Sequence, residues 1–492
     1  MRRAPALTAL ATTAATALGA ALLHLPADAS PLVSQPAATS VGDRSDVRAD
    51  RPVARARKGK RTVMVTGNNW EGTATIIDAR SRKALATIDV IPDIDEELQA
   101  IYTAPDRLAM YLAIQQVVAE GHDQYVDDLF TTRNGRYLAV SRPSLSDVVW
   151  IDLRKAMKGR SDSIVAEAQM DGYRTDHMGV SPDRRRLLVS DSTAGQVIEY
   201  SMVDETLPDG TQVRMGDRLR EFPSGETPHE NNYFAEGRKI LHASIGRVYT
   251  PGDYPVIGPI DASFVHDSVK ADRWLQIVRN KDFDILKRWD MGKELAEAGH
   301  PGMSSAVRPV ALTPDEKILY AQVSFYHGLV EFDLTKKDPT GGGDYEVGGE
   351  PEPARGVVTR LIDLPVADEV QNMPREQYVL DSAHHGLAIN ARGNKLCVAG
   401  TMSDYAAIVD RRTFTPEVFE GAARFLDGRE YSKPYWATEG PGNTCWMSMS
   451  GSDLVTVIDF GTEKVVAEVP VGDHPQRVRE GTVRERILSL RK

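Results

Sequence analysis

From His385 on, the segment HHGLAINARGNKLCVAGTMSDYAAIVDRRTF, which starts at His384, lies residue for residue over PYWATEGPGNTCWMSMSGSDLVTVIDFGTEK, which starts at Pro434. In that register Gly393 falls on Gly442, Asp404 on Asp453 and Asp410 on Asp459. Further copies start at Asp127, Asp176, His229 and Arg308. Internal repetition constrains a chain more tightly than composition does, because one supersecondary unit must account for every copy. Each copy reads as a small apolar strand, a turn such as Ser181-Pro182-Asp183 or Thr313-Pro314-Asp315, a β-rich strand, a second turn, and a third strand ending near Asp. A fourth, more polar strand follows, as at Lys464 to Val469. Four antiparallel strands at intervals of about fifty residues describe a propeller blade.

The first blade lacks its innermost strand: RTVMVTGNNWEGTATIIDARSRKALATIDV supplies only the second, third and fourth. The missing strand is expected at the other end of the chain, where VGDHPQRVREGTV places Pro475 as Pro434 stands in the preceding copy. A C-terminal strand completing the N-terminal blade leaves no open sheet edge. The expected fold is therefore all-β, a seven-bladed β-propeller closed in this way, with short helical insertions on one face.

The SPD-type turns, the phrase VIDxxxxKVVAEVPVGDHP and the spacing of the copies resemble YVTN/YncE-type β-propellers, which are akin to the heavy chains of quinoprotein amine dehydrogenases. The resemblance covers most of residues 62 to 480. It implies the propeller fold and leaves function open, since propellers host binding, hydrolysis, lyase and redox roles alike. A quinoprotein-like heavy subunit working with a separate cofactor-bearing partner is one role it admits.

Residues 1–29 read as a secretory signal peptide: Arg2 and Arg3, an Ala/Leu-rich stretch, and Ala27-Asp28-Ala29 as a cleavage pattern, with an uncleaved anchor as the alternative. Residues 30–61 are rich in Pro, Ala, Ser and Arg and read as a disordered basic linker, leaving 62–492 for the propeller. No later segment is long and apolar enough to span a bilayer, so a secreted or extracytoplasmic protein, a monomer, is expected. The net charge of −11 becomes about −17 on residues 62–492, which argues against nucleic acid as a partner. The two cysteines, Cys397 and Cys445, exclude a disulfide scaffold and a cysteine-based zinc cluster. They fall on second strands of successive copies, one residue apart in register, which leaves a disulfide and two buried thiols both open.

In a propeller the loops leading into first strands and those joining second to third strands emerge on one face. By this register that face carries His122, His177, His229, His266, His300, His327, His384, His385 and His474; His242 lies within a strand. Insertions at 91–120, 246–272, 291–307 and 365–384 share the same face. Those at 203–217 and 336–357 join third to fourth strands and read as inert hairpins or mobile loops on the opposite face.

Asp127, Asp176, His229, Arg308, His385 and Pro434 align at one level around the axis, with His177 and His384 a residue to either side. Converging neutral imidazoles from His177, His229, His384 and His385 suit Cu, Fe or Zn, with Asp176 or Glu230 as oxygen ligand, partner of a ligand or general base. His-Pro steps such as His300-Pro301 and His474-Pro475 also suit simple turns. Arg308 suits a clamp for a carboxylate or phosphate, or a counter-charge for Asp127 and Asp176. Trp70, Asp127, Tyr249, Phe325, His327 and Tyr405 are expected to line a substrate pocket, or, for the aromatic members, a protein-binding rim. Two functions compete: a metal-dependent oxidoreductase or lyase acting on a small organic molecule, and a non-catalytic propeller binding an extracellular protein or cell-envelope ligand.

Overall fold

The computed structural model describes residues 59–490, apart from 248–255, 258–259, 262–270, 379–380 and 427, and these fall in one compact unit. The expected signal peptide, nearly all of the linker, Tyr249 and His266 lie outside the described residues. Seven four-stranded antiparallel sheets form the fold. Blades two to seven have first strands Leu129–Thr131, Thr175–Val180, Pro228–Phe234, Val307–Leu312, Gly386–Ile389 and Pro434–Gly440. In each of these blades the next three major strands pair outward in chain order.

Blade one is built from both ends of the chain, as the repeat predicts. Its strands Lys60–Asn68, Thr73–Asp78 and Lys83–Asp89 are completed by Pro475–Arg484, with Val63 opposite Gly481 and Val65 opposite Arg479. Pairing begins at Lys60, opposite Arg484, two residues before the boundary expected from composition.

The repeat's landmarks are backbone requirements. Gly393 and Gly442 adopt φ of 70° and 82°, and Asp404 and Asp453 φ of 52° and 53°. Gly and Asp tolerate this left-handed region better than β-branched residues do. Between blades, the alternate faces of neighbouring strands interdigitate: Val63, Val65, Ile76, Leu138, Val140 and Val149 form one such layer between blades one and two. Cys397 and Cys445 resolve their alternative as a disulfide joining the second strands of blades six and seven.

The 91–120 insertion is helical, with helices Ile94–Thr103 and Pro105–Ala113 followed by one wide turn, Ile114–Val118. It packs Ile101 and Tyr111 against Leu145 in the second-to-third loop of blade two, so it does lie on the histidine face. Arg142, fully buried, ties it down by donating to Asp147 (Nε, 2.8 Å) and to Asp93 (Nη2, 2.9 Å).

Of the two readings for the insertions joining third to fourth strands, inert hairpins or mobile loops, the structure has hairpins, packed along the outside of a neighbouring blade. In 203–217 the small hairpin Glu205–Thr206/Gln212–Val213 follows Met202, whose sulfur accepts from Trp150 of blade two at 3.3 Å. In 336–357, Gly348 comes up against Arg288 and Trp274 of blade four, and Tyr345 Oη donates to Glu294 at 2.7 Å. Glu294 is on helix Met291–Glu297, in the loop that leads into blade five, so this hairpin climbs back to the histidine face. Strand-end register assigns where a long loop leaves, and apolar packing decides where it goes. Among the described residues, no helix is long and apolar enough to cross a membrane.

Candidate metal centre on the propeller axis

The axial residues are aimed by an irregularity repeated around the ring. In blades one, three, four, five and seven the first strand carries an extra residue relative to its partner: around Gln476–Arg477, Asp176–His177, His229, Arg308–Pro309 and Tyr435. Such a bulge breaks the alternation of the strand and turns a side chain that would otherwise enter the sheet packing. In blade seven this places Tyr435, not Pro434, at the level expected from the alignment: its ring stacks on His385 at 4.2 Å, and the Arg477 guanidinium lies 5.4 Å from it.

Three imidazoles meet there. His177, His229 and His385, from blades three, four and six, each offer a nitrogen within 4.8 Å of the others', and all three are buried. The His177 and His229 rings lie 3.6 Å apart, and His385 is 6.1 and 5.6 Å from them. Burial, reinforced by neighbouring arginines and, for His177 and His229, by the other imidazoles, holds all three well below the ordinary histidine range, so each is neutral at pH 7. His177 Nδ1 is 2.9 Å from Glu230 Oε1, and Glu230 Oε2 accepts from Asn232 at 3.0 Å. A carboxylate held on one ring nitrogen fixes the tautomer and leaves Nε2 with its lone pair free. His229 Nδ1 has no hydrogen-bond partner among the described residues.

Charge around the imidazoles comes in opposed pairs. Arg174 bonds Asp176, whose Oδ2 also accepts from Ser192 (3.0 Å) and whose Oδ1 accepts from the His177 amide (3.0 Å). Arg477 lies 3.4 Å from Asp127 and 4.0 Å above Trp436; Arg479 makes a two-pronged bond to Asp128 (2.8 and 2.7 Å). Burial pushes Glu230 and Asp127 up to about 7, Asp127 despite the opposing pull of Arg477. Arg308 donates from Nε to Ser324 at 2.9 Å, while its Nη2 is buried with no partner.

These contacts sort the expected site residues. Asp127, Asp176, His177, His229, Glu230, Arg308 and His385 are brought together on the axis. The direct partners of Asp127 and Asp176 are Arg477 and Arg174; Arg308 feels Asp176 through space, after Asp381 and Tyr435. Arg308 is also buried in packed side chains and does not project into open water.

His384 does not join the triad. Adjacent residues of an extended chain face opposite ways, and with His385 on the axis His384 turns outward. It lies 5.8 Å from His327 and 5.8 Å from Tyr405, its Nε2 3.4 Å from the Tyr405 hydroxyl. His327 Nε2 is 2.9 Å from Tyr378 Oη, and Phe325 packs edge-on to Tyr378 at 5.5 Å. Phe325, His327 and Tyr405 thus form a second cluster with His384. Trp70 walls no pocket: both faces of its ring are covered, by His122 at 3.7 Å and His474 at 3.8 Å.

Sequence reasoning missed Arg174, Arg477, Arg479, Tyr435 and Trp436. Pro475 and Pro434 set the register of the closing strand, and Tyr435, Trp436 and Arg477 lie one or two residues beyond them.

No family model matches the chain. No curated protein matches it either. Solved structures similar to it include Kuenenia stuttgartiensis hydrazine synthase (12% identity, 71% of this chain and 88% of that one, TM-score 0.42). The periplasmic gluconolactonase PpgL of Pseudomonas aeruginosa is similar at 14% identity, 85% and 99% coverage and TM-score 0.45. The dihydro-heme d1 dehydrogenase NirN, in complex with DHE, is similar at 11% identity, 90% and 79% coverage and TM-score 0.43. At this distance the likeness is one of fold.

Proposed function

We propose that this chain is an exported propeller enzyme whose axial histidines bind one first-row transition-metal ion, Cu, Fe or Zn, and which acts as an oxidoreductase or lyase on a small organic anion. The observation that carries the reading is the triad itself: His177, His229 and His385, neutral and buried, with ligand nitrogens within 4.8 Å of one another. Neutral imidazoles suit these metals, and three protein ligands leave coordination positions for a substrate or water. A bound ion would supply Lewis acidity at those positions.

The protein's own groups have separable roles in this reading. Glu230 orients His177, and its rise to about 7, with its contact to a triad imidazole, suits it to exchange a proton near physiological pH. Asp176 is committed to Arg174, Ser192 and the His177 amide and serves to hold the bulge. Arg308 Nη2 has no acceptor, and Arg477, though 3.4 Å from Asp127, makes no side-chain hydrogen bond, so both keep buried donors for a substrate carboxylate or phosphate. We read the repeats as YVTN/YncE-type and residues 1–29 as the export signal.

The test is metal content. Untagged protein purified from the exporting cell should carry about one equivalent of Cu, Fe or Zn, and His229→Ala and His385→Ala should each lose it. Wild-type protein that takes up no metal above background, even after reconstitution, removes the reading and leaves the binding-propeller alternative.

A further inference from the structure

Away from the axis, the hairpin packed outside blade four gathers carboxylates, with Lys293 of the adjoining helix over Tyr345 at 5.7 Å as a cation beside them. Asp338, Asp344 and Glu352 each offer an oxygen within 4.8 Å of the others'. Glu294 and Glu297, on helix Met291–Glu297, stand beside them: Tyr345 bonds Glu294, and Glu297 lies against Asp344. Acidic clusters on a surface are common and usually solvated. This one differs because Glu352 is only 4% exposed and no hydrogen-bond donor among the described residues reaches either of its oxygens. A buried carboxylate without a donor or counter-charge is costly, and it faces two further carboxylates.

We propose that Asp338, Asp344 and Glu352 bind a Ca2+ ion, which staples the 336–357 hairpin of blade five together beside helix Met291–Glu297. The donor set is all oxygen, which suits a hard cation rather than the metals preferred by the axial imidazoles. The spread of the oxygens matches the span of two Ca–O bonds of about 2.3–2.6 Å. Asp338 is already oriented for this. Its Oδ1 accepts from the Thr340 amide (2.7 Å) and hydroxyl (2.8 Å), leaving Oδ2 for the ion. The loop is closed behind the site by the Glu352 amide bonding the Tyr345 carbonyl at 3.1 Å.

Calorimetric titration of the full chain with CaCl2, together with thermal melts in EDTA and in 10 mM CaCl2, tests this. One Ca2+ should bind with Kd on the order of 10⁻⁴ M, and 10 mM should raise the melting temperature by about 3 °C. Asp344 is exposed, so Asp344→Asn should leave folding intact while lowering Ca2+ affinity at least tenfold. Glu352→Gln should do the same and, in EDTA, melt no lower than the wild type, because it removes a repulsive charge. His229→Ala should bind Ca2+ unchanged, which separates this site from the axial one. Folded wild-type protein that shows no saturable binding up to 10 mM overturns the proposal. So does Ca2+ binding that survives both carboxylate substitutions, or that is lost in His229→Ala and kept in Asp344→Asn.

Discussion

At the axis, single atoms decide what each side chain can do. Glu230 holds His177 through Nδ1, so Glu230→Gln should keep the fold while lowering transition-metal affinity about 10–100-fold, measured by competition with a chelator. Arg308 is informative for the opposite reason. Its buried Nη2 lacks a partner, so it contributes less to folding than its desolvation costs. Arg308→Met should therefore raise the stability of the metal-free protein by about 1–3 kcal/mol in urea unfolding; a loss of stability would restore it as a structural counter-charge. Seven of the expected site residues do meet on the axis, because the repeat fixes which residue opens each first strand. What the sequence did not show was direction. His384 and His385 are equally polar neighbours, and only the backbone decides that one reaches the axis and the other the Tyr405 cluster.

Among the strands, two features carry ring closure. The strand Pro475–Arg484 both completes blade one and delivers Arg477 and Arg479 to the site. Truncation after Val471 should leave the edge of Lys60–Asn68 unpaired and give aggregated protein by gel filtration, with metal binding lost. The disulfide Cys397–Cys445 closes a loop with a sequence separation of 48 and ties the last two blades. Cys445→Ser should cost about 2–4 kcal/mol in urea unfolding under oxidising conditions and nothing relative to wild type once both are reduced. The closure was legible because an incomplete copy at one end matched a surplus strand at the other. The bulges were not, since their extra residues carry no common type: Asp-His, His, Arg-Pro, Tyr and Gln-Arg occupy them in turn. Where the outward hairpins pack was not legible for a related reason. Their position depends on what Trp150 and Trp274, and Trp289 beneath Gly356, leave uncovered on a neighbouring blade, which no local pattern encodes.

Taken together, the ring buries histidines in a form that cannot be protonated without loss of structure. His242, satisfied by Ser224 (2.6 Å) and the Glu230 carbonyl (2.8 Å), is lowered by burial to about 4, and His474 by burial to about 3. In the unfolded chain each regains a value of about 6.5. Below that pH the unfolded state binds protons that the folded state does not, so stability present above 6.5 falls as pH drops toward the folded values. Urea midpoints should decline from pH 7 to pH 5, each of these two histidines accounting for about 2 kcal/mol, and His474→Gln should flatten that slope. Glu230, with its folded value raised to about 7, acts in the opposite sense between about 4.5 and 7, where its contribution falls as pH rises. The histidine-bearing face is therefore less uniform than its composition suggests. His242 supports a strand, His122 and His474 cover Trp70, His327 and His384 build an aromatic cluster, and three imidazoles form the axial centre. The most direct measurement of that centre is an anomalous-difference map from crystals of metal-loaded protein, collected at the absorption edge of the bound metal. One peak at about 2.1 Å from a nitrogen of each of His177, His229 and His385 is the expected result; a peak elsewhere, or none on the axis at full loading, would contradict it.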